Sequence, residues 1–297
     1  MTLKIFLTLC VLLLLFLTGC GIENARSSKQ PESNRVQTPT PAVPNFSGVK
    51  VRLLRVDDTL VENQPVVFRF AIQNDTNVPL NVDLGQDFKG SFAFNLTLPD
   101  KREVSLRRYE KNGISSLGAV SIKSRREYSQ RVILNEWIDF SLVPGEYVLV
   151  GSLLEPLEMD GKIVGSVPSF TVTFHIGSKN SEVLRGISKN LLNKIVQSTS
   201  YAEAAEAALE LSLIKDAVAA PFLLSALTSN KMVESVIINS LTETGGWIAV
   251  DVLMGAIPLM PSTESASHAK SALELIAFRS KDESLKRKIL DFLNKSH

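Results

Sequence analysis

The sequence predicts two folded parts of different classes, an all-β part followed by an all-α part, behind an N-terminal targeting segment. Between residues 49 and 176, apolar and polar residues alternate in several short runs, which is the period of half-buried strands. At Gly177 the composition changes from Val, Phe and Thr to Ala, Leu, Ser and Glu. Beyond Gly177, two-residue pairs recur every 32 residues, which is typical of stacked helix pairs; they are Ala208-Leu209, Ser240-Leu241 and Ala272-Leu273.

Composition sets limits on function before any motif is considered. The chain has 297 residues and is 44% hydrophobic, which is enough to build buried cores. Its 32 basic residues balance 31 acidic ones, and this argues against a nucleic-acid binder that relies on phosphate contacts. Three histidines and two cysteines exclude most His/Cys metal sites and any disulfide framework; they are His175, His268, His297, Cys10 and Cys20.

The first residues have the pattern of a secretory signal peptide. Lys4 precedes an apolar run over residues 5–17, which is too short for a transmembrane helix. The run ends in Leu17-Thr18-Gly19-Cys20, which resembles the lipobox of bacterial lipoproteins. That resemblance implies a signal peptide over residues 1–19, cleavage before Cys20, diacylglycerol on the Cys20 sulfur and acylation of the new N-terminus. An ordinary signal peptide cut elsewhere, or an uncleaved anchor, is the alternative.

Residues 20–46 are predicted to be a lipidated cysteine and a disordered tether. Four prolines stand among Ser, Thr, Gln and Asn without any apolar period, and such a composition stays extended; they are Pro31, Pro39, Pro41 and Pro44. Gly21, and not Asp, follows the cysteine, which favours the outer membrane if the cell has one. Otherwise we expect the protein on the outer face of the plasma membrane. Both are cell-envelope locations reached through a lipid anchor.

Residues 47–177 are predicted to form an antiparallel β-sandwich. Strand alternation is clean over 66–73, 92–99 and 170–176, and weaker over 49–56, 103–109, 130–134 and 147–153. Turn residues lie between these runs, and no helical pattern interrupts them.

Two short stretches resemble immunoglobulin-like domains. Leu142-Val143-Pro144-Gly145-Glu146-Tyr147 resembles the L-x-P-G-x-Y corner of immunoglobulin-like and fibronectin type III-like domains, and this implies a tyrosine hydroxyl that closes the turn. Glu62-Asn63-Gln64-Pro65, followed by a strand and Asn74-Asp75-Thr76, looks like the opening of bacterial extracytoplasmic immunoglobulin-like domains, including those similar to a Bacillus proteinase inhibitor. An inhibitor would be favoured by a long exposed loop, for which residues 111–128 are the candidate.

Residues 178–297 are predicted to be helical. The expected helices are 182–197, 201–214, 217–228, 231–243, 247–258, 264–279 and 283–295. Ser200 with Glu203, and Ser280 with Glu283, fit the capping box. The spacing of 32 residues resembles short bacterial HEAT-like repeats, about three of them, which implies an α-solenoid. A non-repetitive helical bundle is the alternative.

The sequence carries none of the common catalytic motifs. The sequence has no G-x-S-x-G, H-E-x-x-H, C-x-x-C, phosphate-binding G-x-x-x-x-G-K-[ST] or dinucleotide-binding G-x-G-x-x-G. We therefore expect no catalytic, cofactor-binding or metal residues and no cofactor. Six residues are candidates for a partner surface: Arg107, Arg108, Tyr109, Arg125, Arg126 and Trp247. Solvated loop faces for the basic residues, and core packing for Trp247, are the alternatives.

These observations favour a non-enzymatic, membrane-anchored interaction or scaffold protein. Its expected partners are the membrane, through the lipid, and an unknown protein, with no nucleic acid. An extracytoplasmic inhibitor-like or enzyme-assembly factor is the first alternative. An enzyme with a site between the two parts is the second.

Overall fold

A computed structural model describes residues 48–57, 59–85, 88–110, 118–165 and 169–295. The signal peptide, the lipidated Cys20 and the tether lie outside these residues. The described chain is β-rich up to Gly177 and helical from Ser181, as the change of composition predicts. No helix in these ranges is long and apolar enough to cross a membrane.

Twelve strands in the described ranges form three sheets. Their spatial orders are β1-β3-β8, β11-β10-β4-β7 and β2-β12-β9-β5-β6. All neighbouring strands are antiparallel except β2 and β12, which run parallel. The strands are β1 (Val49–Arg55), β2 (Leu60–Val61), β3 (Val67–Asn74), β4 (Leu80–Asp83), β5 (Phe92–Thr97), β6 (Glu103–Ser105), β7 (Ala119–Ile122), β8 (Arg126–Ile133), β9 (Gly145–Leu153), β10 (Leu157–Met159), β11 (Lys162–Gly165) and β12 (Phe170–Gly177).

Aromatic side chains join the three-stranded sheet to the five-stranded sheet in one core. Phe68 of β3 meets Phe174 of β12 with ring centroids 5.6 Å apart. Phe70 of β3 meets Phe92 of β5 edge-on at 4.7 Å. The predicted alternation in β3 is confirmed for these residues, because Phe68 and Phe70 are buried while Arg69 between them is exposed. Trp137 is also fully buried in this core.

The corner before β9 has the hydrogen bonds that its sequence motif predicts. The buried Tyr147 hydroxyl donates to the Val143 carbonyl oxygen at 2.7 Å and accepts from the Val143 N–H at 2.9 Å. Gly145 has φ +146°, and a Cβ there would lie 2.6 Å from Cγ of Pro99. Only glycine fits this position without displacing Pro99.

Removing the Tyr147 hydroxyl is expected to destabilise the β-rich part. Tyr147→Phe keeps the buried ring but deletes both bonds to Val143, so we expect a loss of about 1 kcal/mol, because Val143 can still reach water. Thermal unfolding of the purified protein measures this. Tyr128→Phe is the control, because the Tyr128 hydroxyl makes one long bond of 3.4 Å to Gln130. Equal melting temperatures for both variants would contradict the corner's role.

Seven helices in the described ranges follow the strands. They are α1 (Ser181–Gln197), α2 (Tyr201–Ser212), α3 (Ala220–Ser229), α4 (Glu234–Thr244), α5 (Gly246–Ala256), α6 (Thr263–Arg279) and α7 (Glu283–Lys295). Each helix contacts the second helix after it: α1 packs on α3, α3 on α5 and α5 on α7, while α2 packs on α4 and α4 on α6. The helices therefore form two layers that share one apolar core.

The residues spaced by 32 lie in equivalent helices of one layer. Leu241 of α4 and Leu273 of α6 are fully buried in the helical core. Leu209 of α2 is half-buried and packs towards the β-rich part instead.

Neither capping box forms with the side chains that the sequence pattern predicts. The Ser200 side chain makes no cap bond to α2, because the Ser198 hydroxyl binds both the Ser200 N–H and the Glu203 carboxylate. At α7 the cap is Asp282, which accepts from the N–H of Ser284 at 2.9 Å.

The helices and the β-rich part share an interface. Val67 of β3 and Ile133 of β8 point away from the β core and pack with Leu213, which follows α2. An ion pair of 2.6 Å joins Lys179 to Asp216 beside this contact. The outer face of the three-stranded sheet is thus partly covered by α2 and the residues after it.

Candidate functional site

A cleft of about 480 Å³ lies where β7 and β8 diverge, with α2 at one end. We name it the β7–β8 cleft. Its walls come from the strand residues, from the segment that precedes β5 and from α2; they are Leu84, Gly85, Phe88, Lys89, Gly118, Ala119, Val120, Tyr128, Gln130, Arg131, Ile133, Glu136, Glu206 and Leu209. Both the β-rich part and the helices therefore contribute to it.

The two strands diverge because they belong to different sheets. A tight turn joins them, in which the Arg126 N–H donates to the Lys123 carbonyl at 3.2 Å. Beyond the turn, β7 pairs with β4 whereas β8 pairs with β3. Gly118 lies so close to the chain that a Cβ there would be 2.2 Å from the Gly85 nitrogen. Where Gly118 meets Gly85, the wall on the β7 side is therefore bare backbone.

A partly buried ion pair lines the cleft. Lys89 Nζ binds the Glu136 carboxylate. Burial opposes the charge on Lys89, but the nearby Glu136 charge and its hydrogen bond outweigh burial, so the pKa of Lys89 is raised above its ordinary value. Lys89 remains a cation at neutral pH, held in place by its partner.

Tyr109 lies against this pair. Its hydroxyl donates to the Glu136 carbonyl oxygen at 2.6 Å, and burial raises the pKa of the phenol. The Lys89 ammonium lies 5.4 Å from the ring centre and the Arg107 guanidinium 4.8 Å from it, both within cation–π range.

A second ion pair joins β8 to α2. Arg131 Nη2 binds the Glu210 carboxylate, and Arg131 Nε lies 3.9 Å from Glu206. Burial raises the pKa of the Glu210 carboxyl above its ordinary value, although the Arg131 charge opposes this rise. Beyond Arg131 lies another cavity of about 520 Å³ between α1 and α2. Arg131 and Glu206 line both cavities.

The raised pKa of Glu210 predicts a pH dependence of stability. The folded chain holds the Glu210 proton more tightly than the unfolded chain, so stability from this group is lost as pH rises from the ordinary carboxyl pKa through the raised one. Thermal unfolding between about pH 4 and about pH 7 should show the wild type losing stability relative to Glu210→Gln. Glu264→Gln, an exposed change in α6, should run parallel to wild type. A wild-type advantage over Glu210→Gln that grows with pH would contradict this.

The structure groups only some of the predicted surface residues. Arg107 and Tyr109 join the Lys89–Glu136 pair beside the cleft, and Arg108 is exposed next to them. Arg125 and Arg126 lie on the turn that closes β7 onto β8, where Arg125 donates to Asn77 at 3.0 Å.

Trp247 is elsewhere, at the start of α5. Its ring is 45% exposed, so core packing is the wrong alternative for it. Its Nε1–H donates to Asp282 at 3.1 Å and the Lys288 ammonium lies 5.0 Å from the ring centre. None of the cleft's lining residues belongs to α5 or α7.

Sequence reasoning missed the two ion pairs, Lys89–Glu136 and Arg131–Glu210. One signal was available for Glu210, which lies on the Ala- and Leu-rich face of α2 where a carboxylate is unexpected. Within the described residues, no group of three or more His, Cys, Asp or Glu side chains is placed to hold a metal ion.

Comparisons with known proteins identify no family for this chain. No family model matches the chain, and no curated protein matches it. Among solved structures, the Pseudomonas fluorescens alkylpurine DNA glycosylase AlkC bound to DNA is 11% identical over 44% of this chain and 30% of its own, with TM-score 0.22. The PapD-like domain 7 of human CEP192 is 9% identical over 52% of this chain and 97% of its own, with TM-score 0.22.

A third similarity is to native α2-macroglobulin from Escherichia coli, from domain MG7 to the C-terminus. It is 11% identical over 76% of this chain and 41% of that chain, with TM-score 0.24. This chain therefore spans less than half of both the glycosylase and the macroglobulin. TM-scores this low support no inference about function.

Proposed function

We propose that this protein is a membrane-anchored, extracytoplasmic lipoprotein that acts as a non-enzymatic protein-interaction or scaffold module. The observation that carries the proposal is the β7–β8 cleft, an open groove between strand edges and a helix. The charged side chains in its described lining are paired, Lys89 with Glu136 and Arg131 with Glu206 at 3.9 Å, and Arg131 also binds Glu210 of α2. A groove of this kind is suited to recognition of a polypeptide.

The proposal includes a finer description of the two parts. We propose an immunoglobulin-like β-sandwich over residues 47–177, supported by the shared Phe core and by the Tyr147 corner. We propose a HEAT-like solenoid over residues 178–297, supported by contacts between every second helix and by the burial of Leu241 and Leu273.

The inhibitor-like alternative gains no support. It would be favoured by a long exposed loop over residues 111–128, of which 111–117 lie outside the described residues. The rest contains β7, a tight turn and the start of β8.

Site-specific photocrosslinking in intact cells tests the proposed function. A photoreactive amino acid replaces Ala119, which is exposed on the cleft wall, and in a control strain replaces His175, which is exposed on β12. We expect a discrete protein adduct from position 119 and none of the same mass from position 175. No adduct from 119, or the same adducts from both positions, would count against an interaction module that uses this cleft.

A further inference from the structure

The free edges of β7 and β8 carry outward backbone groups at alternate positions. Where β8 pairs with β3, the Leu134 N–H donates to the Val66 carbonyl oxygen. At every second residue of β8 counted from Leu134, the backbone N–H and C=O groups therefore point towards β3. Ser129 and Arg131 are the intervening residues, and their N–H and C=O groups point away from β3. The direction follows from the alternation of backbone hydrogen bonds along an antiparallel strand.

The same reasoning applies to β7. Leu84 N–H donates to the Gly118 carbonyl at 2.9 Å, which makes Gly118 and Val120 the residues that bond β4. The backbone groups of Ala119 and Ser121 therefore point away from β4, towards the cleft. In the part of the chain that the structure describes, the outward groups of these strands have no hydrogen-bond partner. Two unpaired edges thus flank one groove, and such edges accept an added strand.

The charges around the cleft favour an acidic occupant. Arg108, Lys123 and Arg126 are exposed and form no ion pair with any described residue. The nearby Glu127 is already engaged, because Arg52 binds it at 2.9 Å. Lys123 and Arg126 therefore leave the turn that closes the cleft with cations that no described carboxylate pairs, whereas Arg108 lies in the same short segment as the exposed Glu110. The carboxylates that line the cleft are paired, Glu136 with Lys89 and Glu206 with Arg131 at 3.9 Å. This asymmetry attracts carboxylates and repels basic segments.

We propose that the β7–β8 cleft binds an extended, acidic segment of a partner protein, which adds as a strand to the free edges of β7 and β8. Backbone hydrogen bonds to Ala119 and Ser129 hold the segment. Its acidic side chains meet Lys123 and Arg126, and its apolar side chains pack on Phe88. The inference rests on the proposed interaction function and names the class of its partner.

The test uses a labelled peptide of alternating Glu and Val, about eight residues long, with the full-length protein in detergent. Fluorescence anisotropy measures binding. We expect binding of this peptide and none of the matched Lys-Val peptide. N-methylation of alternate residues keeps the charge but removes backbone donors, and should weaken binding roughly tenfold or more. Failure of the Glu-Val peptide to bind, or unchanged binding after N-methylation, would overturn strand addition.

Variants at two positions, Ser129 and Arg126, locate the binding. Ser129→Pro removes the outward N–H of β8 and should abolish peptide binding, whereas Ser129→Ala should keep it. Arg126→Glu should weaken binding roughly tenfold and leave the melting temperature unchanged. If circular dichroism shows that Ser129→Pro does not fold, hydrogen exchange of the wild-type protein replaces this variant. Slower exchange of the Ala119 and Ser129 amides in the presence of peptide would support strand addition, and unchanged exchange would reject the proposal. A persistent Ala119 crosslink in cells, without peptide binding, would reject strand addition and leave the proposed function standing.

Discussion

Leu241→Ala is expected to unfold the helices at a much lower temperature while the β-rich part keeps its structure. Leu241 of α4 is 1% exposed and lies in the core that all seven helices share. Truncating a buried leucine leaves a cavity and costs about 2–5 kcal/mol, which is a large share of the stability of a small domain. Because α4 contacts both α2 and α6, the loss affects the pairs on either side.

The two tryptophans allow the two parts to be followed separately. Trp137 is buried in the β core, while Trp247 lies at the start of α5. In a Trp247→Phe background, Trp137 fluorescence reports the β-rich part, and far-UV circular dichroism reports the helices. We expect the circular dichroism transition of Leu241→Ala to fall well below the fluorescence transition. Leu290→Ala, on the exposed face of α7, is the control and should change stability by about 0.5 kcal/mol or less.

Two outcomes would contradict this prediction in different ways. An unchanged helical transition would mean that position 241 contributes little, and the repeat with its implied solenoid would then be dropped. A joint loss of both signals at one lower temperature would mean that the two parts unfold as one cooperative unit. The contact of Leu213 with Val67 and Ile133 and the Arg131–Glu210 pair are the physical link that could couple them.

The helices were well predicted because their signals are local. The predicted range 182–197 is observed as Ser181–Gln197, and 264–279 as Thr263–Arg279. Each of these helices buries one apolar stripe whose period is visible within a single window of sequence. The cap residue of α7 was misplaced by two positions, since Asp282 and not Ser280 accepts from the first N–H groups of the helix. At α2 the predicted Ser200 is the N-cap residue, but its side chain makes no cap bond.

The strands that were not predicted are short. The whole sheet of β11, β10, β4 and β7 was absent from the prediction, and each of these strands has four residues or fewer. Alternation cannot be recognised in so few residues, and the pairing of Asn81 with Ser121 and with Glu158 joins distant parts of the chain. The β7–β8 cleft exists because of that sheet, so the site could not be predicted either.

The residues predicted for a partner surface show the same difference between local signals and contacts across the fold. Arg107 and Tyr109 were singled out from a local cluster of charge. Their position beside Lys89 and Glu136 depends on contacts across the fold. Arg131 and Glu210 lie 79 residues apart, and only the packing of α2 on β8 brings them together. Charge clusters visible in sequence thus located one border of the cleft, while its partly buried ion pairs required the structure.

Cys20→Ala is expected to abolish lipidation and processing of the protein. In the lipobox resemblance of Leu17-Thr18-Gly19-Cys20, the thiol is the acceptor of the diacylglycerol, and cleavage before position 20 follows that modification. Alanine offers no sulfur, so the variant should incorporate no labelled palmitate and should keep residues 1–19. Because two or more acyl chains give stable anchoring, the processed wild type should partition into detergent, and the variant should be mislocalised in cell fractions. Cys10→Ala, which changes the other cysteine within the apolar run, is the matched control and should be labelled and cleaved like wild type. Mass spectrometry of the intact protein decides between these results, and a Cys20→Ala protein with the mass and the label of wild type would remove the lipid anchor from the proposal.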